Sequence, residues 1–127
     1  VYSELLWEHY QSPCNNFRLE DFQHWGRRVN PICPDVVELF ATSTGSQIIQ
    51  EMTFVAEACP PVIATASMLC QWAAGKTLQQ LAQLTEQDLA QWVGPLPPNK
   101  RHAVQLTFLA LQELLGPRPF NPAVESV

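Results

Sequence analysis

The chain has 127 residues, 46% of them hydrophobic, and a formal net charge of −5 from 12 acidic against 7 basic side chains. That length is one ordinary domain, able to bury a working core without a metal or disulfide holding it together, so a bound metal would serve function rather than folding. The acidic bias, with no basic run longer than Lys100-Arg101-His102, argues against nucleic acid and anionic membranes as partners.

No apolar run approaches the roughly 18 residues of a membrane-spanning helix. The first residues hold Glu4, Glu8, His9 and Pro13 rather than a basic start and an apolar core, so the expected location is cytoplasmic. Cysteines stand at positions 14, 33, 59 and 70. Two disulfides would not be needed by a core of this size, which favours free thiols or metal ligands.

In chain order, Ser3 is a helix cap and Leu5, Leu6, His9 and Tyr10 have helical spacing, which predicts a short helix over Tyr2 to Tyr10. Its Tyr2, Leu6, Trp7 and Tyr10 either pack on the body or face a partner. Residues 14–35 have no sustained period and read as a long irregular or weakly extended stretch of the kind that covers or builds a site. Phe17, Leu19, Phe22 and Trp25 are expected to anchor it. Val36 to Ser43 and Ile48 to Val55 are rich in β-formers around Thr44-Gly45-Ser46-Gln47, the signature of an antiparallel hairpin. Ile48, Met52 and Phe54 are expected on one face, Glu51 and Thr53 on the other. Two strands alone are marginal, so helices must cover one face, and residues 22–31 offer a third strand.

From Pro60-Pro61 the period becomes helical, with Val62, Ala66, Leu69 and Ala73 in one stripe and Ile63, Met68 and Trp72 making other sides apolar. Gly75 ends this central helix. Thr77 caps a short helix through Leu81 and Leu84, and Thr85 with Asp88 forms a capping box for another, reaching Trp92. Gly94-Pro-Leu-Pro-Pro98 is a rigid connector. The last helix is expected from about Asn99 to Leu115, with Val104, Phe108, Leu111 and Leu115 buried, stopped by Gly116-Pro117. The fold class is therefore α+β, a small antiparallel β-sheet packed against helices, in a single domain over residues 1–116 followed by a flexible tail over 117–127.

Four side chains form the candidate site. Cys33 and Asp35 are two residues apart in an extended segment and point to the same side. Cys59 follows the second hairpin strand, and antiparallel pairing puts the start of the first strand beside the end of the second. At a strand-to-helix junction, free N–H groups also favour its thiolate. His102, at the start of the last helix, completes the set. Two thiolates, a carboxylate and an imidazole suit tetrahedral zinc, and less closely iron or an iron–sulfur cluster. The alternative is structural: two buried small thiols, a strand-start carboxylate and a polar helix start. Cys70, mid-helix among apolar residues, reads as packing, and Cys14 beside a proline turn carries no signal. The chain has no hydroxyl nucleophile with a His/Asp pair placed beside it, no phosphate loop and no dinucleotide fingerprint, so it does not read as an enzyme.

Taken together, His9-Tyr10-Gln-Ser-Pro13, Asn30-Pro-Ile-Cys33-Pro-Asp35, Ala58-Cys59-Pro60 with Ala64-Thr-Ala-Ser-Met68, Trp72-Ala-Ala-Gly-Lys-Thr-Leu78 and Leu96-Pro-Pro-Asn-Lys100-Arg-His102-Ala103 resemble the IscU/NifU/SufU family of iron–sulfur cluster assembly scaffolds in order and content. The resemblance implies a scaffold that holds iron, a [2Fe–2S] cluster or zinc, with a cysteine desulfurase as partner. It also implies a site on Cys33, Asp35, Cys59 and His102. Leu96 to Lys100 resembles the segment read by an Hsp70-type chaperone, with Asn99 in place of an apolar residue. The family's third cysteine falls on Ala103, and prolines 34 and 60 stand where small flexible residues usually follow the first two. A diverged member acting as a metal-binding or regulatory interaction protein is the alternative. A persulfide carrier using Cys59 is a third reading.

Overall fold

The computed structural model describes residues 2–31 and 34–116. Its elements are α1 (Glu4–Gln11), β1 (His24–Val29), β2 (Val36–Ser43), β3 (Ile49–Glu57), α2 (Pro60–Ala73), α3 (Leu78–Ala82), α4 (Glu86–Val93) and α5 (His102–Leu115). The three strands form one antiparallel sheet in the order β1-β2-β3. β1 is the third strand expected from residues 22–31. The domain is thus the α+β arrangement the sequence predicts.

Directly opposed residues share a sheet face. Leu39 faces Phe54 and Ala41 faces Met52, and with Val37 all are fully buried beneath α2 and α5. α2 is covered on most sides: Pro61, Val62 and every residue from Ala64 to Cys70 are buried. On the opposite face Phe40 is also fully buried. Phe22 packs on it at 5.3 Å between ring centroids, and the Arg18 guanidinium lies 4.9 Å above the ring.

The stretch before β1 is fastened differently from expectation. Phe17 and Trp25 remain 45% and 44% exposed and do not anchor it. Asn15 does, in a left-handed conformation (φ 60°) that asparagine tolerates. Its carbonyl accepts the Phe54 N–H at 3.0 Å and its Nδ2 donates to the Met52 carbonyl at 3.0 Å, satisfying part of the otherwise open edge of β3. Trp25 instead donates Nε1–H to Glu38 at 2.9 Å.

A second correction concerns β3. Thr42 pairs with Glu51 but Ser43 pairs with Ile49, leaving Gln50 as an extra residue. A bulge of this kind reverses the alternation beyond it. Ile49 is therefore buried and Ile48 is 38% exposed, the reverse of a regular strand carrying Ile48 beside Met52 and Phe54.

Thr77 and Thr85 cap α3 and α4 through complete capping boxes, and Gly75 (φ +86°) follows α2. The last helix starts later than expected. Pro98–Lys100 forms a 3-10 turn, closed by Lys100 N–H to Pro97 C=O at 2.9 Å, and α5 begins at His102. Phe108 and Leu115 are only half-buried, whereas Ala103, Ala110 and Leu114 are buried. The cause is a close approach of α5 to β1. A Cβ on Gly26 would lie 2.1 Å from the Ala110 carbonyl oxygen and 2.6 Å from the Leu114 nitrogen, so helix backbone rests directly on the glycine.

α1 is fixed to α2 through a buried polar contact. His9, 8% exposed, places Nδ1 2.7 Å from Ser67 Oγ, which also accepts the Cys14 N–H at 2.7 Å. Burial lowers the His9 pKa from 6.5, outweighing the opposing Glu8 charge. The stabilising contribution of neutral His9 is present above the unfolded pKa of 6.5 and is lost as pH falls through the lower folded pKa, because the unfolded chain takes up the proton first. Denaturant unfolding at a series of pH values from 8 to 5 should show a smaller acid-side loss of stability in His9→Gln than in the parent.

Candidate metal centre

The site grows out of the shared end of β2 and β3. Val36 and Glu57 are the last cross-strand pair, so Asp35 precedes one strand and Cys59 follows the other at the same end. Asn30 N–H donates to the Asp35 carbonyl at 2.9 Å, closing the β1–β2 connection beneath it. Cys59 is the extended N-cap of α2, with Pro60 in the first turn where a missing N–H costs little. Its carbonyl accepts the Val62 and Ile63 N–H groups at 3.0 and 3.3 Å.

His102 arrives because α5 is anchored on Gly26. Gly26 pairs with Leu39, three residues inside the sheet end at Val36, or about 10 Å along a strand. Ala110, over that glycine, is eight residues beyond His102, or about 12 Å along a helix. The start of α5 therefore falls at the Asp35 end of the sheet.

Asp35 Oδ2 is the centre of the group. The Cys59 thiol donates to it at 3.5 Å, and His102 Nε2 lies 3.3 Å from the same oxygen. A carboxylate oxygen accepts, so in this contact the imidazole donates from Nε2. Asp35 is buried, with Cys59 and His102 half-buried, and one ligand atom from each lies within 4.8 Å of the others. Ligands at about 2.0–2.3 Å from one ion in tetrahedral geometry stand roughly 3.3–3.8 Å apart, and both contacts to Asp35 fall in or at the edge of that range. The donor set fits a borderline-soft cation. His102 also lines a cleft of about 490 Å³ with Val29, Pro31, Leu106 and Leu109.

The surroundings of Cys59 correct its expected thiolate character. Burial raises the thiol above its ordinary 9.0, and the charge and hydrogen bond of Asp35 add to the rise. The Val62 N–H and the Lys100 charge act in the opposite direction without overcoming it. A cation between Cys59 and Asp35 would reverse this balance. Lys100 is the contributor that sequence reasoning missed. Its position in the tight turn before His102 was the available signal.

Of the four expected ligands, the structure brings together Asp35, Cys59 and His102, and Cys33 lies outside the described residues. Cys70 is eleven residues beyond Cys59, about 16 Å along a helix, and fully buried. It is packing, as its sequence context predicts, and no part of the centre. Ala103 is fully buried beside His102 and offers no ligand atom.

A three-stranded antiparallel sheet under helices with Asp, Cys and His at its end defines a small metal-site scaffold. The NifU-like N-terminal domain family matches residues 1–116, and the chain belongs to that family. It is 30% identical over 115 residues to the iron–sulfur cluster assembly scaffold protein IscU 1 of Archaeoglobus fulgidus, covering 91% of this chain and 74% of that one. It is 34% identical over 107 residues to IscU of Aquifex aeolicus, covering 83% and 68%. Among solved structures, a protein assigned as a SUF-system scaffold from Fervidobacterium islandicum superposes with a TM-score of 0.73 at 17% identity, covering 90% of this chain and 96% of that one. A NifU-like N-terminal domain from Brucella abortus gives 0.61 at 15%, covering 87% and 77%. At these identities the superpositions establish the fold.

Proposed function

We propose that this protein is a non-enzymatic iron–sulfur cluster assembly scaffold, with iron or a [2Fe–2S] cluster as its cargo on Cys33, Asp35, Cys59 and His102. The convergence of Asp35, Cys59 and His102 at one end of the sheet carries the reading. Family membership and the names of the curated relatives support it. A cysteine desulfurase supplies the sulfur in this reading, and an Hsp70-type chaperone reads residues 96–100. A carboxylate, an imidazole and a thiolate with Ala103 alongside also suit zinc, which makes a metal-binding or regulatory member the second reading.

The test is oxygen-free purification followed by reconstitution with ferrous iron and sulfide. The scaffold reading expects visible charge-transfer absorption and acid-labile sulfide in step with iron. Stoichiometric zinc with no sulfide uptake supports the second reading. Failure to take up metal under either condition rejects the shared four-ligand site and with it the scaffold reading.

A further inference from the structure

Away from the metal centre, α1, α2 and α4 border a groove of about 370 Å³ lined by Leu5, His9, Met68, Gln71, Trp72 and Trp92. A volume of that size suits a small molecule. The indoles of Trp72 and Trp92 meet with ring centroids 5.6 Å apart, and Leu5 is exposed on the rim. Met68 is nine residues beyond Cys59, about 14 Å along α2, so the groove is separate from the metal ligands.

His9 is the polar group built into this apolar wall. Its side chain is more than nine-tenths buried, and Nδ1 lies 2.7 Å from Ser67 Oγ. Ser67 is fully buried, and its oxygen already accepts the Cys14 N–H. Nδ1 is the one acceptor open to the Ser67 hydroxyl proton among the described residues. Donation there avoids an unpaired buried hydroxyl and leaves the ring proton on Nε2. Nε2 has no partner among the described residues, yet the buried side-chain atoms without one are Thr53 and Thr107 Oγ1. Nε2–H is therefore reached from outside, through the groove that His9 lines.

Charge narrows what this donor can receive. The Lys76 ammonium lies 4.7 Å from the Trp72 ring centroid, and no carboxylate lines the groove. Glu8, whose charge acts on His9, is exposed and outside the lining. A cationic ligand would meet an ammonium on one of the two indoles and an N–H that offers it nothing. An anionic acceptor finds both favourable, in apolar surroundings that strengthen the hydrogen bond.

We propose that this groove binds a small planar aromatic carboxylate, its ring against Trp72, Trp92 and Met68 and one carboxylate oxygen accepting the Nε2–H of His9. The site is independent of the metal centre and of the scaffold role.

The probes are 2-naphthoate and 2-naphthylmethylamine, which share a ring and differ in charge. Each is titrated into the full chain near pH 7.5, followed by tryptophan fluorescence and by NMR of the His9 imidazole. Saturable binding of one naphthoate per chain is expected, with a shift of the His9 Nε2 resonance, and the amine should bind about tenfold or more weakly. Leu5→Glu, at an exposed rim position, and Trp92→Leu should each weaken naphthoate by about tenfold. Cys59→Ala should bind it as the parent does, which keeps this outcome distinct from that of the metal centre. Equal affinity for the two probes, binding unchanged in both groove variants, or no saturation up to about 1 mM would overturn the proposal.

Discussion

Gly26→Ala is expected to cost about 3 kcal/mol or more and to lower the thermal midpoint by roughly 10 °C. The added carbon would meet the Ala110 carbonyl oxygen at 2.1 Å and the Leu114 nitrogen at 2.6 Å. Both are helix backbone atoms, so no side-chain rotation relieves the clash and α5 must lift from β1. Alanine's backbone preference over glycine in a strand offsets only about 0.5–1 kcal/mol. Against a typical stability of about 5–15 kcal/mol, the steric cost wins. Gly45→Ala is the matched control: nothing lies within 4 Å of its added carbon, and its stability should stay within about 0.5 kcal/mol of the parent. Because α5 carries His102, Gly26→Ala should also weaken metal binding while Gly45→Ala leaves it intact. Equal melting of the two variants would show that the close approach is not what seats the helix.

Much of this architecture was legible because local chemistry and tertiary packing agree. Ser3, Thr77 and Thr85 cap the helices that their sequence signatures announce, and the hairpin topology alone placed Asp35 beside Cys59. Where sequence reasoning failed, the deciding contact was distant in the chain. The face of Ile48 turned on a bulge set by pairing with β2. Phe17 and Trp25 looked like anchors by hydrophobicity, yet Asn15 holds the segment with backbone and amide hydrogen bonds. Of the expected face of α5, Val104 and Leu111 are buried while Phe108 and Leu115 are only half-buried, because the helix rests on Gly26, a residue that carries no hydrophobic signal. The protonation of Cys59 was misjudged for a related reason. Its helix-start position is visible in sequence, but the burial and the Asp35 carboxylate that outweigh it exist only in the fold.

Cys59→Ala is expected to lower metal affinity more than the roughly 10–100-fold that loss of a mere outer-shell partner costs. Cys59 is the one thiol among the described residues of the centre. Without it Asp35 and His102 remain as a carboxylate and an imidazole, a set with no soft donor. Cys70→Ala should keep its metal, since that residue sits about 16 Å along α2. The parent protein should also show a distinct pH dependence. Cys59 is held above its ordinary pKa of 9.0, so at neutral pH it is a thiol, and a metal must displace its proton to bind. Affinity therefore rises with pH up to that raised pKa, by as much as about tenfold per unit from this group alone. Calorimetric titration with zinc in two buffers of different ionisation enthalpy reads the released proton directly. Unchanged zinc affinity in Cys59→Ala would remove Cys59 from the ligand set and leave the Asp35–His102 pair as a structural contact at the end of the sheet.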